Sequence, residues 1–322
     1  MPHPQMLFDL EECEKLSSVQ DKTTFLITTG QAHINFLMWS IFSILIRSKV
    51  GDFLEHINVA INGPDERSGD PTLQNIKQNF LEDLRSLKWR SQEDGPSVDM
   101  PLTISRVWSR VGAEQSLEMI LPWVHTDSYI YVHDDIIWNT YDWEKTIRIN
   151  LYKKNVAIVC APPLETGDLS WSLYEDEPKL NFPHIVNHCI AVRKPILAKL
   201  GLKWTGYHFQ NTFKLEDRAP NMDLFLAGHR PRVLPLQNTK EYKYASYDVG
   251  AWVLNGLKRN GYEINSVPNL DVFHFVSMSW TNKRNILSRL EYAKPMIERL
   301  EAELKMFPDY WKLYNKYKSD IV

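Results

Sequence analysis

The feature that most constrains the fold is an alternation of strand and helix patterns over roughly the first 140 residues. Short β-branched runs such as TTFLITTG and HINVAING end at glycines, and stretches with helical apolar spacing, such as LQNIKQNFLEDLRSL, separate them. Strands that alternate with helices build a parallel sheet, because each crossover helix packs back onto the sheet. We therefore predict an α/β fold with a mostly parallel central sheet covered by helices.

The 322-residue sequence contains no repeat, low-complexity tract or linker that would divide it into separate globular units. The main α/β domain is expected over residues 1–282. From Lys283 to about Lys305 the pattern is amphipathic and charged, so residues 283–322 are predicted to form a helical C-terminal extension. Such a helix is compatible with peripheral contact to a membrane, or with packing on the domain while its charged face meets solvent.

Composition excludes some classes of protein. A net charge of −3 and a pI near 6.4 argue against a nucleic-acid partner. The longest apolar run, INFLMWSIFSILI, is too short to span a bilayer and predicts a buried helix. The three cysteines, Cys13, Cys160 and Cys189, form neither a disulfide framework nor a zinc pattern, and the N-terminal residues do not resemble a signal peptide. These observations favour a reducing compartment and a cytoplasmic location.

The stretch DSYIYVHDD places two carboxylates, Asp134 and Asp135, directly after a strand of buried character. Two like charges this close repel each other unless a cation or a proton lies between them. The pair is therefore either a cap on the following turn or one side of a metal site.

The order of these and later motifs resembles that of the metal-dependent nucleotide-sugar glycosyltransferases of GT-A fold, in particular the large inverting family with a single Rossmann-like sheet. The matching pieces are FLITTG, VAINGPDE, SRVGAEQSLEMI, SYIYVHDD, KLGLKWTGYHFQNTFKLED and DVFHF. They extend over about three quarters of the chain. The resemblance implies a nucleotide-binding part over about residues 22–140 and an acceptor part over about 141–282.

The resemblance also implies a divalent cation. Asp135 stands at the metal-ligand position of the family's Asp-x-Asp motif, and His133 stands where the first aspartate of that motif usually lies. A late strand of the family often supplies a histidine to the metal, and His274 of DVFHF matches that position. Oxygen ligands suit Mn²⁺ or Mg²⁺, and an added imidazole shifts the preference toward Mn²⁺.

The donor site implied by the resemblance lies at the ends of the first strands. There the hydroxyl and backbone groups of Thr28 and Thr29 are expected to meet a nucleobase, and Arg110 is expected to reach a phosphate. The expected nucleotide-sugar-binding residues are Thr28, Thr29, Gly30, Asp65, Glu66, Arg110, Gly112 and Asp134.

Transfer with inversion needs a general base for the acceptor hydroxyl. The acidic pair Glu216 and Asp217 occupies the family position for this base, with Asp217 as the first candidate and Asp223 as the rival. The pair is equally compatible with a plain helix N-terminus, which favours carboxylates through the helix dipole. The residues expected to bind the acceptor are Trp204, Tyr207 and His208.

The sequence thus predicts a glycosyltransferase that moves a sugar from a UDP- or GDP-type donor to a carbohydrate, lipid or protein acceptor with inversion. The alternatives are a retaining glycosyltransferase, a sugar nucleotidyltransferase and a non-catalytic carbohydrate-binding protein. A nucleotidyltransferase usually has a glycine-rich basic loop after the first strand, whereas TTGQAHIN has one glycine and no lysine or arginine. The oligomeric state is not predicted.

Overall fold

The computed structural model of the chain describes fourteen stretches of the sequence. They are residues 19–30, 32–49, 52–62, 71–90, 96–107, 113–161, 164–165, 184–185, 189–204, 253, 256–257, 260–267, 269–275 and 283–319. The strands are β1 Val19–Thr29, β2 Leu54–Asn62, β3 Lys88–Trp89, β4 Val98–Asp99, β5 Leu102–Val107, β6 Thr126–His133, β7 Ile136–Trp138, β8 Val156–Cys160, β9 Leu164–Glu165, β10 His184–Ile185, β11 Cys189–Arg193, β12 Glu263–Ser266 and β13 Val272–His274. The helices are α1 Ile34–Arg47, α2 Pro71–Arg85, α3 Ala113–Ile120, α4 Trp143–Leu151, α5 Lys194–Lys199, α6 Lys283–Leu304 and α7 Pro308–Tyr317, and a 3₁₀ turn spans Leu121–Trp123.

Seven strands form the central sheet in the order β12-β8-β11-β6-β1-β2-β5. All neighbours pair in parallel except β11, which runs antiparallel between β6 and β8. The prediction of an α/β fold with a mostly parallel, helix-covered sheet and helices at the C-terminal end is confirmed. Strand β12 was not predicted, because its residues Glu263–Ser266 are half-exposed and polar at the sheet edge and lack an apolar period.

The chain changes direction across the sheet at β1. From β1 it moves outward to β2 and β5, and then it returns to place β6 on the other side of β1. The carboxyl ends of β1 and β6 therefore flank a topological switch point, the place where open α/β sheets bind their ligands. The register of the pair sets Thr28 beside His133 at this edge.

Side chains of successive strand residues enter two cores on opposite faces of the sheet, as the period of two requires. On β6, Ile130 and Val132 join the larger core, whereas Tyr129 and Tyr131 join the smaller one. The larger core also contains α1, whose described residues are all buried, as predicted for the apolar run.

The buried cysteines Cys160 and Cys189 illustrate the same rule. They lie on neighbouring strands, β8 and β11, but Cys189 belongs to the larger core and Cys160 to the smaller one. Their side chains therefore project from opposite faces of the sheet and cannot form a disulfide with each other. This arrangement agrees with the prediction that these thiols are not part of a disulfide framework.

The helices α6 and α7 pack against the larger core and contribute buried residues to it. Leu300 and Tyr314 are fully buried there, and the Trp39 Nε1–H of α1 donates to the Tyr314 hydroxyl at 3.0 Å. At the end of α1 the buried Arg47 guanidinium pairs with Glu303 at 2.7 Å. The division of the chain at residue 282 stays a prediction, but these helices share one core with the sheet. In the described residues, no helix is both long and apolar enough to cross a membrane.

Glu144 in the first turn of α4 is a buried carboxylate that opposes folding at neutral pH. Its Oε1 accepts a hydrogen bond from the Lys49 amide at 2.5 Å, whereas its buried Oε2 has no hydrogen-bond partner among the described residues. Burial raises the pKa of Glu144 to about 7, from 4.5 in the unfolded chain. Between these two pH values the folded state keeps a proton that the unfolded state loses, so stability falls as pH rises through this window.

We predict that Glu144→Gln stabilises the protein more at pH 8 than at pH 5, because the glutamine has no charge to bury. The difference between the folded and unfolded pKa of Glu144 implies that the substitution raises the free energy of unfolding more at pH 8 than at pH 5, by about 2 kcal/mol. Urea unfolding at the two pH values measures the effect. Glu298→Gln, on the exposed side of α6, is the matched control and should change stability by less than about 0.5 kcal/mol. An equal gain from Glu144→Gln at both pH values would contradict the prediction.

Candidate metal centre

Three side chains at the switch point form a cluster that could hold a metal ion. They are His133, Asp135 and His274, each offering one ligand atom, and these atoms all lie within 4.8 Å of one another. The Asp135 Oδ1 lies 3.1 Å from the His274 Nε2 and 3.8 Å from the His133 Nδ1. The site is partly open, because the His133 side chain is 32% exposed whereas that of Asp135 is 9% exposed. One carboxylate and two imidazoles are a donor set that divalent transition metals accept.

Local structure explains how His274 reaches Asp135. After β6, Asp134 and Asp135 make a turn, and β7 leaves the central sheet to pair antiparallel with β13. The register of this small sheet places His274 beside Ile136. The Phe275 amide also donates to the Asp135 carbonyl oxygen at 2.9 Å. The predicted late strand is therefore present, but it lies in a separate two-stranded sheet with β7.

The two adjacent carboxylates have different partners. The Thr29 hydroxyl donates to the Asp134 Oδ2 at 2.5 Å, and the Lys77 ammonium lies 3.8 Å from the same oxygen. Asp135 instead turns toward His133 and His274. The repulsion expected between adjacent carboxylates is thus reduced by giving each one its own cationic or donor group.

Lys77 is a residue that the sequence reasoning missed. Its side chain is fully buried on α2, and its ammonium donates to the Thr29 Oγ1 and to the Gly30 carbonyl, both at 2.7 Å. Burial lowers the pKa of Lys77 to about 8, while Asp134 acts in the opposite direction. Burial also raises the pKa of Asp134, and the neighbouring Asp135 adds to that increase. The signal was available, since Lys77 lies four residues after Leu73 and four before Leu81, on the apolar stripe of its helix.

The two hydroxyl groups at the end of β1, on Thr28 and Thr29, already have partners within the protein. The Thr28 hydroxyl lies 3.0 Å from the Tyr131 hydroxyl, and the Thr29 hydroxyl is held between Lys77 and Asp134. At Gly30, by contrast, an added Cβ would meet nothing within 4 Å among the residues that the structure describes. The role of these residues in nucleotide binding stays a prediction.

Trp204 packs in the smaller core on the other face of the sheet. Its ring is 4% exposed, its Nε1–H donates to the Tyr129 hydroxyl at 2.6 Å, and its amide donates to the Glu118 carboxylate. Its role in acceptor binding stays a prediction. The other predicted site residues lie outside the described part of the chain. They are Asp65, Glu66, Arg110, Gly112, Tyr207, His208, Glu216, Asp217 and Asp223.

No protein-family model matches the sequence, and no curated protein sequence matches it either. Among solved structures, TarS 1-349 of S. aureus in complex with UDP matches 57% of this chain and 50% of its own length, with 11% identity and a TM-score of 0.36. The match thus spans half the length of the TarS 1-349 chain.

Two further structures match over most of this chain. The mannosyltransferase PcManGT of Pyrobaculum calidifontis, in complex with GDP-Man and Mn²⁺, covers 96% of this chain and 90% of its own, with 11% identity and a TM-score of 0.39. The glycosyltransferase GlyE of Streptococcus pneumoniae covers 92% and 63%, with 11% identity and a TM-score of 0.42. Similarity this low carries no argument about activity, so the function has to be inferred from the site itself.

We predict that the cluster binds Mn²⁺ and that Asp135 contributes the most to binding. A ligand that binds only the folded state raises its stability, by about 2.7 kcal/mol at one hundred times the dissociation constant. Mn²⁺ should therefore raise the melting temperature of the unchanged protein. Asp135→Asn should abolish this rise, and His274→Ala should weaken Mn²⁺ binding by a smaller factor.

The matched controls for this prediction are Asp142→Asn and His125→Ala, which alter an exposed aspartate and an exposed histidine away from the cluster. Both control variants should keep the full rise in melting temperature. Stabilisation by Mn²⁺ that persists unchanged in Asp135→Asn would show that the metal binds elsewhere.

Proposed function

We propose that the protein is a metal-dependent glycosyltransferase of GT-A fold, which moves a sugar from a nucleoside-diphosphate sugar to an acceptor hydroxyl with inversion. The observation that carries this proposal is the position of the His133, Asp135 and His274 cluster. It lies at the carboxyl ends of parallel strands, on the switch point between β1 and β6. A cation-binding group at this place in an α/β sheet is suited to hold the phosphates of a nucleotide.

The chemistry of the donor explains why such a cluster would be needed. When the anomeric C–O bond breaks, negative charge grows on the departing diphosphate, and a bound divalent cation supplies electrostatic stabilisation of that charge. Asp135 contributes one negative charge to the site, while the imidazoles of His133 and His274 bind a metal in their neutral form. Two of the three groups are nearly enclosed, which strengthens their interaction with an ion.

The donor atoms favour Mn²⁺ over Mg²⁺. Mg²⁺ takes oxygen ligands in strict octahedral geometry, whereas imidazole nitrogen suits later divalent metals. Here two of the three candidate ligands are imidazoles, His133 and His274. The replacement of an aspartate by His133 in the Asp-x-Asp position therefore points to a site that discriminates against Mg²⁺ more than an all-carboxylate site would.

The donor nucleotide is proposed to lie beside the end of β1, where no atom of the described residues would contact a Cβ added to Gly30. Backbone groups of this strand end other than the Gly30 carbonyl are proposed as the contacts, since that carbonyl accepts from Lys77 and the Thr28 and Thr29 hydroxyls bond within the protein. The predicted contributions of Asp65, Glu66, Arg110 and Gly112 belong to this same proposal. Asp217, supported by Glu216, is proposed as the general base, with Asp223 as the alternative.

The first test measures nucleotide binding with and without metal. We expect UDP or GDP to bind to the unchanged protein in the presence of Mn²⁺, to bind far more weakly with Mg²⁺, and not to bind with EDTA. Isothermal titration of each nucleotide under the three conditions gives the affinities. Asp135→Asn should lose the effect of Mn²⁺, whereas Asp142→Asn should not.

A screen of nucleotide sugars then distinguishes the alternatives. Release of nucleoside diphosphate in the presence of Mn²⁺ supports a glycosyltransferase, and inversion is read from the anomeric configuration of the product. Retained configuration would instead identify a retaining enzyme, and release of pyrophosphate from a nucleoside triphosphate and a sugar phosphate would identify a nucleotidyltransferase. Carbohydrate binding with neither nucleotide binding nor turnover would identify a binding protein and contradict the proposal.

We predict that Asp217→Asn lowers turnover by about 10²–10⁴-fold, which is the usual contribution of a general base. Donor affinity should remain near normal, because it depends on the metal centre and the strand ends. Steady-state kinetics together with donor titration separate the two effects. Asp223→Asn tests the rival candidate, and a collapse of turnover in that variant alone would move the base to Asp223.

A further inference from the structure

A fully buried lysine lies under the carboxyl end of β1. Lys77 is 0% exposed, and its ammonium makes hydrogen bonds of 2.7 Å to both the Thr29 Oγ1 and the Gly30 carbonyl oxygen. The Asp134 Oδ2 lies 3.8 Å from the same nitrogen. Lysine is almost never fully buried unless it is paired, so this position needs an explanation.

The hydrogen bonds that link Lys77, Thr29 and Asp134 can run in only one direction. An ammonium group can only donate hydrogen bonds, so the Thr29 oxygen must act as acceptor toward Lys77. The hydroxyl proton of Thr29 is then directed to the Asp134 carboxylate, which accepts it at 2.5 Å. Lys77, Thr29 and Asp134 therefore form a chain of bonds that joins α2 to the ends of β1 and β6.

Asp134 is 8% exposed and is held on the side of the turn that faces Lys77. The next residue, Asp135, faces His133 and His274 instead. We propose that Lys77 is a positioning residue of the metal centre, which acts by anchoring Asp134 so that Asp135 is presented to the cation. This inference rests on the proposed function, since it assumes that the cluster around Asp135 binds metal.

A purely electrostatic role for Lys77 predicts the opposite effect on metal binding. A positive charge near a cation site repels the cation, so removing that charge should tighten binding. Loss of a positioning residue should instead weaken it, since groups that orient metal ligands typically contribute about 10–100-fold to metal affinity. The sign of the change in Lys77→Met therefore separates the two roles.

The experiment titrates Mn²⁺ alone into the full chain and follows free Mn²⁺ by electron paramagnetic resonance. The variants are Lys77→Met, Asp134→Asn and the double variant Lys77→Met/Asp134→Asn. The matched control is Lys88→Met, which removes a lysine from an exposed ion pair with Asp99. We expect Lys77→Met to raise the Mn²⁺ dissociation constant by about 10–100-fold, and Lys88→Met to leave it unchanged.

The double variant also tests whether Lys77 acts through Asp134. If it does, the double variant should bind Mn²⁺ about as weakly as the weaker of the two single variants, because both changes remove the same anchor. If the two charges act independently, their effects on the cation should cancel. The double variant removes both charges of the Lys77–Asp134 pair, so neither is left buried without the other, and the test stays valid if Lys77→Met alone does not fold.

Three results would overturn the inference. The first is Mn²⁺ affinity that is unchanged or tighter in Lys77→Met, and the second is affinity that is restored to normal in the double variant. Either result, with normal Mn²⁺ binding to the unchanged protein, removes the role of Lys77 and leaves the proposed metal centre standing. The third is an absence of Mn²⁺ binding to the unchanged protein, which overturns the metal centre itself and this inference with it.

Discussion

The parallel pairing of β1 with β6 is the constraint on which the rest of the site depends. It places the end of the first strand beside the HDD turn, with Thr28 level with His133. The chain reverses its order across the sheet at this pair, and such a reversal is where open α/β sheets bind their ligands. The polar groups gathered here can therefore reach a ligand while the strands behind them stay in the core.

The turn after β6 directs two carboxylates that are adjacent in sequence toward different partners, which reduces their mutual repulsion. Asp134 points toward a buried lysine and a threonine hydroxyl, whereas Asp135 points toward two imidazoles. Each carboxylate is desolvated, and each has polar groups that offset the loss of water. Asp134 thus bonds within the protein, and its predicted role in nucleotide binding stays a prediction, whereas Asp135 lies beside two other candidate metal ligands.

The small sheet of β7 and β13 also holds the candidate metal ligands in place. This pairing brings His274 to Asp135 from a distant part of the sequence, and the Phe275 amide fixes the turn by bonding to the Asp135 carbonyl. Behind it, Phe275 stacks on Trp39 of α1, and Trp39 bonds in turn to Tyr314 of α7. The C-terminal helices thus pack against the layer that carries the candidate ligand His274.

The sequence by itself determined the class of fold and the segment that carries two of the three candidate metal ligands, His133 and Asp135. Strand and helix periods are local properties, so the strand–helix alternation and the polar HDD turn could be recognised without tertiary information. Strand β12 was missed because its residues are polar and its strand character comes only from pairing with β8. The family resemblance had already assigned His274 and Asp135 to one metal, and the structure brings them to 3.1 Å. The tertiary structure alone decided that Asp134 faces Lys77 and that Lys77 lies beneath the strand end. These contacts depend on the register between segments far apart in the chain and on the desolvation of charged groups, and neither is written in a local pattern.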